Sequence, residues 1–295
     1  MTTRLHDDEL AIDEELVRGL LRDRLPDLAG LPLARVPSLG TVNALCRLGD
    51  DLVVRLPRAA RWGGDVEREA AWLPVIAPHL SLDVPRVVAV GRPTDAYPCT
   101  WAVYAWLEGR SWDAAPPDDE REAARALARL VRELGAIDPA GAPRAGRRPL
   151  REVDDETRAA LDAAADLVDH DRATAVWAHA VAGDPWRGAP VWIHADLLSP
   201  NLLVRDGRLA AVVDWGTCGA GDPASDLVPA WAVLGPAGRS ELRAALDVDE
   251  ATWVRARGIA LAQAAAIVPY YRRTNPAFAA TGVRTIEQVV ADAAG

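Results

Sequence analysis

The spacing of hydrophobic residues predicts a first third that is mainly β-strand and a remainder that is mainly helix. Helical spacing at 12–25 and 65–77 predicts two helices, and Pro74 should kink or shorten the second. Between and after these helices, short apolar runs bounded by turn-forming residues predict strands, and the first two should form a hairpin. These runs are residues 43–48, 52–56, 84–90 and 101–106.

Beyond residue 106 the helical spacing dominates. Apolar stripes predict a long helix over 118–137 and further helices, with short breaks, over 159–180 and 241–271. The stretch 139–149 is rich in Gly, Pro and Arg and predicts a loop. Strands followed by helices is the order of an α+β protein. We therefore expect two regions, 1–106 and 107–295.

Composition and charge narrow the class of protein. Half of the residues are hydrophobic and 26% are charged, as in a globular chain with a sizeable core. A formal net charge of -10 argues against nucleic acid as a partner, because that binding requires a positive surface. The negative charge is compatible with a cationic small-molecule substrate, although ordinary soluble proteins are often equally acidic.

The numbers of lysines, cysteines and long apolar runs exclude further classes of protein and of site. All 33 basic residues are arginine, so there is no Walker A loop and no lysine that could hold pyridoxal phosphate. The three cysteines are far apart, which argues against a disulfide framework or a zinc site. Without a signal-peptide pattern or an apolar run of about 20 residues, we expect a cytoplasmic monomer or homodimer that does not contact a membrane.

One predicted hairpin carries candidate metal ligands. A strand at 202–205, an Asp-Gly turn and a return strand at 208–213 define it. With a two-residue turn, Asn201 faces Val212, and Asp214 lies diagonal to Asn201 on the same face. Two oxygen-bearing side chains in these positions suit a hard cation such as Mg²⁺.

Asp196 lies in the loop that leads into this hairpin. A carboxylate there can accept the proton of a hydroxyl group whose oxygen attacks phosphorus. We expect His194 to hold the loop in place rather than to transfer protons. Singly, these are ordinary loop and strand-end residues. Together, the spacing His194-x-Asp196-Leu-x-x-x-Asn201, followed by Asp214-Trp-Gly216, matches the catalytic-loop and metal-binding patterns of kinases.

These residues resemble the aminoglycoside phosphotransferase family, a branch of the protein-kinase-like fold. In that family the catalytic loop has His-Gly-Asp, so Ala195 replaces the usual glycine, and a Gly-Asp-Pro-x-x-Asp-Leu segment recurs at 221–227. The resemblance implies a two-lobed α+β fold with a small antiparallel-sheet N-lobe and a mostly helical C-lobe. It also implies that Asp226 supports the catalytic loop structurally.

The same resemblance implies a nucleotide site in the β-rich region. Arg55 stands where the family at large has a lysine that contacts the α- and β-phosphates, and Glu69, with Glu67 as a close rival, is its expected partner. The backbone of Ala105 and Leu107 is expected to bond the adenine edge at the hinge between lobes. The expected phosphate-covering loop contains Ser38, Gly40 and Thr41.

The function that the resemblance implies is ATP- and Mg²⁺-dependent transfer of a phosphoryl group to a hydroxyl of a small molecule, with GTP left open as the donor. An aminoglycoside or another antibiotic is the first acceptor to consider. The alternatives are a catalytically weak nucleotide-binding module and a metabolic small-alcohol kinase on the same fold. A protein kinase is disfavoured, because no Ala-Pro-Glu segment follows Gly216.

Overall fold

The computed structural model describes residues 6–36 and 41–294. Their first part forms a five-stranded antiparallel sheet with the strand order β1-β2-β3-β5-β4. The predicted hairpin is confirmed, because β2 and β3 pair along their whole length around Gly49, which has a left-handed φ of 61°. The strands are β1 (Leu33–Arg35), β2 (Asn43–Leu48), β3 (Leu52–Pro57), β4 (Val87–Gly91) and β5 (Trp101–Ala105).

Two helices accompany the sheet and cover different faces of it. Helix α1 (Glu14–Arg24) begins after the N-cap Asp13 and ends before Pro26, as predicted, and its apolar residues share one core cluster with β2, β3 and β5. Helix α2 (Gly63–Ile76) belongs to the larger cluster that continues into the rest of the molecule. Pro74 lies inside the last turn of α2, so the helix ends two residues later.

The rest of the described chain is mostly helical, which confirms the α+β prediction. The predicted breaks in the later helices fall at 164–169 and 247–249, and a last helix, α9, was not predicted from the sequence. The helices are α3 (Glu120–Ala136), α4 (Asp154–Ala163), α5 (His170–Ala182), α6 (Pro229–Ala232), α7 (Pro236–Leu246), α8 (Glu250–Tyr271) and α9 (Pro276–Ala293).

Helix α8 lies at the centre of the helical region and packs against α4, α5 and α9. Small residues along it allow close approach: a Cβ at Gly258 would come within 2.8 Å of the Ala180 side chain on α5. Burial on several sides explains why α8 is apolar around most of its circumference. Among the described helices, none has the length and hydrophobicity needed to cross a bilayer.

Two small sheets position the motif-bearing loops. One joins β6 (Arg110–Ser111), β8 (Leu202–Arg205) and β9 (Arg208–Val212), and the other pairs β7 (Val191–Ile193) with β10 (Gly219–Gly221). The loop 194–201 leaves β7 and enters β8, while 213–218 connects β9 to β10. Both loops therefore begin and end on these sheets and lie beside each other.

The predicted register of the β8–β9 hairpin is wrong by one residue at its open end. Arg205 faces Arg208 as expected, but a β-bulge at Ala210 shifts the pairing, so Leu202 rather than Asn201 faces Val212. At the bulge, the carbonyl of Ala210 accepts a hydrogen bond from the backbone N–H of residue 83, which runs alongside β9. A register predicted from the alternation of side chains along the hairpin does not take such a remote neighbour into account.

Candidate functional site

A cleft of about 430 Å³ lies between the sheet and the helical region. The strands β2 and β3 and the segment 105–107 form one wall, and β8 with the residues just before it forms another. Much of the lining is apolar, which suits a flat aromatic ligand. The charged and amide side chains in the cleft include Asn43, Arg55, Asn201 and Asp214. The shifted hairpin register thus still brings Asn201 and Asp214 to one cavity.

Arg55 of β3 lies at the centre of a buried ionic network. Its Nη1 donates to Oε1 of Glu69 at 2.5 Å, and its Nη2 donates to Oδ1 of Asp214 at 2.5 Å. With its amide oxygen turned toward the guanidinium, Asn43 accepts from Nε and Nη2 at 2.9 and 2.8 Å. Burial alone would lower the pKa of Arg55, but the two carboxylates outweigh it and raise that pKa. Arg55 is therefore a permanent buried cation.

Glu69, and not its rival Glu67, is the partner of Arg55. Its carboxylate is fully buried and also accepts from the Tyr104 hydroxyl at 2.5 Å and from the backbone N–H of Trp215 at 2.6 Å. Glu67 instead accepts a hydrogen bond from the Thr100 hydroxyl. Because one carboxylate joins α2, β3, β5 and the segment after Asp214, the network fixes the sheet relative to the loop 213–218.

The segment after Asp214 packs tightly against α2. Asp214 has a left-handed φ of 66°, and Trp215 behind it is fully buried. A Cβ at Gly216 would come within 2.5 Å of the Cβ of Asp65, so only glycine permits this approach. Burial, and then the charge of Asp214, raises the pKa of Asp65 to about 6.

His194 is buried and neutral. Burial lowers the pKa of its imidazole to about 4. Its Nε2 donates to the carbonyl of Val213 and its Nδ1 accepts from the backbone N–H of Asp196, both at 3.2 Å, and its ring packs edge-on against Trp215. These contacts join the two loops and suit the predicted supporting role of His194.

Asp226 lies beneath the loop 194–201 and accepts from the backbone N–H groups of His194 and Ala195 at 2.8 and 2.7 Å. Its burial raises its pKa to about 6, although the two N–H groups oppose that rise. Ala195 has a left-handed φ of 67°. This conformation explains why glycine is suited to that position and why alanine there is strained.

Asp196 is partly buried, and both of its carboxylate oxygens have partners. Oδ2 accepts from the amide of Asn201 at 3.1 Å, while Oδ1 accepts from Gln263 of α8 at 3.2 Å and from Arg147 at 3.4 Å. Burial raises the pKa of Asp196, and the charge of Arg147 opposes that rise. The arrangement presents an oriented carboxylate next to Asn201, which lines the cleft, as a proton acceptor requires.

Asn201 and Asp214 have the donor atoms that a hard divalent cation requires. The amide nitrogen of Asn201 donates to the carbonyl and Oδ2 of Asp196, which leaves its amide oxygen without a hydrogen bond among the described residues. Asp214 uses Oδ1 for Arg55. In residues 6–36 and 41–294, no three His, Cys, Asp or Glu side chains cluster as a metal site. Two oxygen-bearing side chains leave the other positions around a divalent cation to phosphate or water.

Of the remaining residues that were predicted to bind the nucleotide, some line the cleft and others do not. Ser38 and Gly40 lie outside the described residues. The Thr41 carbonyl accepts from His6 Nε2 at 2.9 Å, and Thr41 is not among the residues that line the cleft. Ala105 and Leu107 line the cleft, but the Ala105 N–H already donates to a neighbouring carbonyl. Of the two N–H groups, only that of Leu107 remains for a ligand within the described structure.

Sequence reasoning missed three side chains of the site. Asn43 stood at the start of a predicted strand and gave no signal of its role beside Arg55. Arg147 lay within a predicted loop and likewise gave none. Gln263 did give a signal, because it is the one polar side chain in the apolar stretch 258–268 of α8. A polar residue in such a stretch requires a partner, and here the partner is Asp196.

Comparison with known proteins identifies the family. The model of the phosphotransferase enzyme family matches residues 34–259, so the chain belongs to that family. A relative in Bacillus subtilis (strain 168), the uncharacterized protein YcbJ, is 27% identical over 193 residues. That match covers 60% of this chain and 61% of the relative, so this chain spans less than two thirds of the length of the relative.

Solved structures share the fold. The GDP complex of a wild-type aminoglycoside 2'-phosphotransferase superposes with a TM-score of 0.71 at 18% identity, covering 96% of this chain and 100% of that chain. The apoenzyme of a macrolide 2'-phosphotransferase from Brachybacterium faecium gives 0.59 at 24% identity, covering 90% and 97%. The predicted kinase-like α+β fold is therefore confirmed, and the chain is a member of a family of phosphotransferases.

Proposed function

We propose that the protein transfers the terminal phosphoryl group of a nucleoside triphosphate, ATP or alternatively GTP, to a hydroxyl of a small molecule. One observation carries this proposal. The carboxylate of Asp196 is hydrogen-bonded to Asn201, which lines the same cleft as Asp214 and Arg55. A proton acceptor, a pair of oxygen ligands and a buried cation thus meet at one end of a cavity large enough for a nucleotide.

In this proposal Asp196 orients the acceptor hydroxyl and takes its proton. The hydroxyl oxygen forms a bond to the terminal phosphorus as the bond from that phosphorus to the bridging oxygen breaks. The products are a phosphate ester and a nucleoside diphosphate. Most of the rate enhancement would come from alignment and charge neutralisation rather than from covalent catalysis.

Arg55 would attract the phosphate chain, and Asn201 with Asp214 would hold Mg²⁺. When bound, the cation would neutralise the charge of the phosphates. Arg55 already bonds Glu69 and Asp214, so its guanidinium is held in place before a phosphate arrives. Asn43 would also help to hold the guanidinium of Arg55 in place, because it contacts two of its nitrogens.

We place the base of the nucleotide beside the segment 105–107, with the boundary between the two lobes at 106/107. The Leu107 N–H is the donor that we assign to the edge of the base. The carbonyl of Ala105 is a second candidate for that edge, whereas its N–H is engaged by the sheet. The apolar walls of the cleft, which include Val42 and Leu203, would cover the faces of the base.

Aminoglycosides and macrolides are the first acceptors to test, because they appear in the names of the structural relatives. Activity on an antibiotic would mean a role in resistance, and activity on a simple alcohol would mean a metabolic role. A non-enzymatic nucleotide-binding module is the second candidate, and the replacement of the family's usual lysine by Arg55 is the observation that favours it. We expect the protein to act in the cytoplasm.

The test is release of nucleoside diphosphate with Mg-ATP or Mg-GTP and a panel of hydroxylated acceptors. Asp196→Asn should lower kcat by about 10²–10⁴-fold, because the proton acceptor is lost. Nucleotide binding, followed by thermal shift, should persist in that variant. Asp155→Asn, on an exposed helix surface, is the matched control and should behave like wild type. If Asp196→Asn turns over like the control, the assigned role is wrong; nucleotide binding without turnover would favour the binding module.

A further inference from the structure

The Arg-rich loop after α3 is held firmly against β10. The Ala220 N–H donates to the carbonyl of Pro143 at 2.7 Å, and the Ala145 N–H donates to the carbonyl of Ala220 at 3.0 Å. A Cβ at Gly219 or Gly221 would lie only 2.2 or 2.5 Å from a loop carbonyl oxygen. These glycines therefore permit the loop to lie on the β7–β10 pair, which leads directly into the loop 194–201.

This anchoring places Arg147 beside Asp196. Gly146 has a left-handed φ of 90°, and a Cβ there would approach the Ser225 side chain at 3.1 Å, so the chain turns tightly just before Arg147. Nη2 of Arg147 then lies 3.4 Å from Oδ1 of Asp196, its one ionic contact among the described residues. A guanidinium carries five N–H donors, so most of them remain available to a ligand.

The two oxygens of Asp196 distinguish the nucleotide side from the acceptor side. Oδ2 faces Asn201, which lines the nucleotide cleft, whereas Oδ1 faces Gln263 and Arg147, and neither of these lines that cleft. An acceptor hydroxyl must approach Asp196 from a direction that the nucleotide does not occupy. Arg147 therefore lies where the part of the acceptor next to its hydroxyl would bind.

Apart from Asp196, with which Arg147 is paired, the described residues around Gln263 add no negative charge. A small cavity of about 20 Å³ between the loop 194–201, α8 and α9 is lined by Gln263 and by other uncharged residues only. In this proposal Asp196 serves the acceptor hydroxyl and is already paired with Arg147, so an ammonium group would lack a carboxylate of its own and would be repelled by Arg147. A carboxylate or phosphate would instead match the planar fork of the guanidinium.

We propose that Arg147 binds an anionic oxygen group of the acceptor. The acceptor would then be a hydroxylated anion, such as a hydroxy acid or a phosphorylated alcohol, rather than a polyamine. This inference rests on the proposed phosphotransferase function, and it adds a residue that reads the charge beside the reacting hydroxyl. The net charge of the whole chain, -10, has the opposite sign to this local group.

The test uses probes that share a three-carbon diol and differ in the third group, which is anionic, neutral or cationic: glycerate, glyceramide, 3-amino-1,2-propanediol and glycerol 3-phosphate. Their binding is measured by calorimetry with a non-hydrolysable Mg-ATP analogue, and their turnover by ADP release. Wild type should bind an anionic probe at least about 10-fold more tightly than the amide, as expected for a hydrogen bond to a charged group. The two anionic probes distinguish a carboxylate from a phosphate as the preferred group.

Arg147→Gln should abolish this preference, and Arg147→Glu should shift it toward the amine. Arg148→Gln is the matched control on the same loop, because Arg148 bonds Glu156 and the Glu152 carbonyl instead of Asp196. The control should keep the preference of wild type. A rise in KM that is larger for the anionic acceptors than for the amide would separate recognition of charge from a general loss of structure, which would affect all probes alike.

Two results would overturn the proposal. One is a wild-type preference for the amine, or no preference for the anions that depends on Arg147. The other is an equal loss of ADP release in Arg147→Gln with every acceptor and with water, which would assign Arg147 to the transferred phosphoryl group. Failure of the phosphotransferase function would look different, because the anions would still bind through Arg147 while no probe was phosphorylated.

Discussion

Arg55 and Arg147 both contact carboxylates of the candidate site, but the protein surrounds them differently. Arg55 is 6% exposed and is bonded to Glu69, Asp214 and Asn43. The side chain of Arg147 is 46% exposed and makes one ionic contact, at 3.4 Å, within the described structure. The guanidinium of Arg55 is therefore part of the core, whereas that of Arg147 has N–H donors that remain available to a ligand.

Physical chemistry explains the contrast. A buried charge must be paired, because an unpaired one costs several kcal/mol, whereas an exposed ion pair contributes only about 0–1 kcal/mol. Changes on the proposed nucleotide side should therefore alter folding and binding together. Changes on the proposed acceptor side should alter specificity with little effect on folding.

The largest expected effect is that of Glu69→Ala. This substitution removes a buried carboxylate that is paired with Arg55, so we expect the free energy of unfolding to fall by about 3–5 kcal/mol. Nucleotide binding should weaken as well. Urea denaturation measures the first effect and calorimetry the second.

Glu67→Ala, on the same helix, is the matched control for this variant. Glu67 is exposed and bonds the Thr100 hydroxyl, so its loss should cost less than about 1 kcal/mol. Equal losses of stability in the two variants would show that the Arg55 network does not hold the nucleotide side together.

An intermediate, pH-dependent effect is expected for Asp65→Asn. The folded protein raises the pKa of Asp65 to about 6 from 3.8, so ionisation of this group disfavours the folded state as the pH rises through that window. At pH 7 the variant should be more stable than wild type by about 1–3 kcal/mol, and below about pH 4 the difference should vanish. Thermal unfolding across this pH range measures it. A difference in stability that is independent of pH would contradict the assignment.

The smallest expected effect is that of Ala195→Gly, in the loop 194–201. Glycine tolerates the left-handed φ of 67° without steric cost, although it gives the unfolded chain more freedom. We expect a net gain of about 0.5–1 kcal/mol in the free energy of unfolding. In contrast, Ala159→Gly, at an exposed position within α4, should lose about 1 kcal/mol. The same sign in both variants would show that Ala195 is not strained.

Local patterns predicted the parts of the fold that depend on near neighbours. Helix α1 ends where Pro26 predicts, and β2 and β3 pair around Gly49 as the turn residues indicate. The predicted β8–β9 register failed at the bulge at Ala210, whose carbonyl bonds the backbone of residue 83, far away in sequence. The hairpin and motif spacing supplied Asp196, Asn201 and Asp214, but no sequence pattern contains distances between remote side chains.

The sequence by itself therefore determined the α+β order, the motif-bearing loops and the family, because these features depend on residues that lie close together along the chain. Only the tertiary structure decided which carboxylate pairs with Arg55 and which side chains contact Asp196. Glu69 is separated from Asp214 by more than half of the described chain, yet both bind one guanidinium. Such contacts follow from packing among remote segments, where burial selects the partners that satisfy each charge.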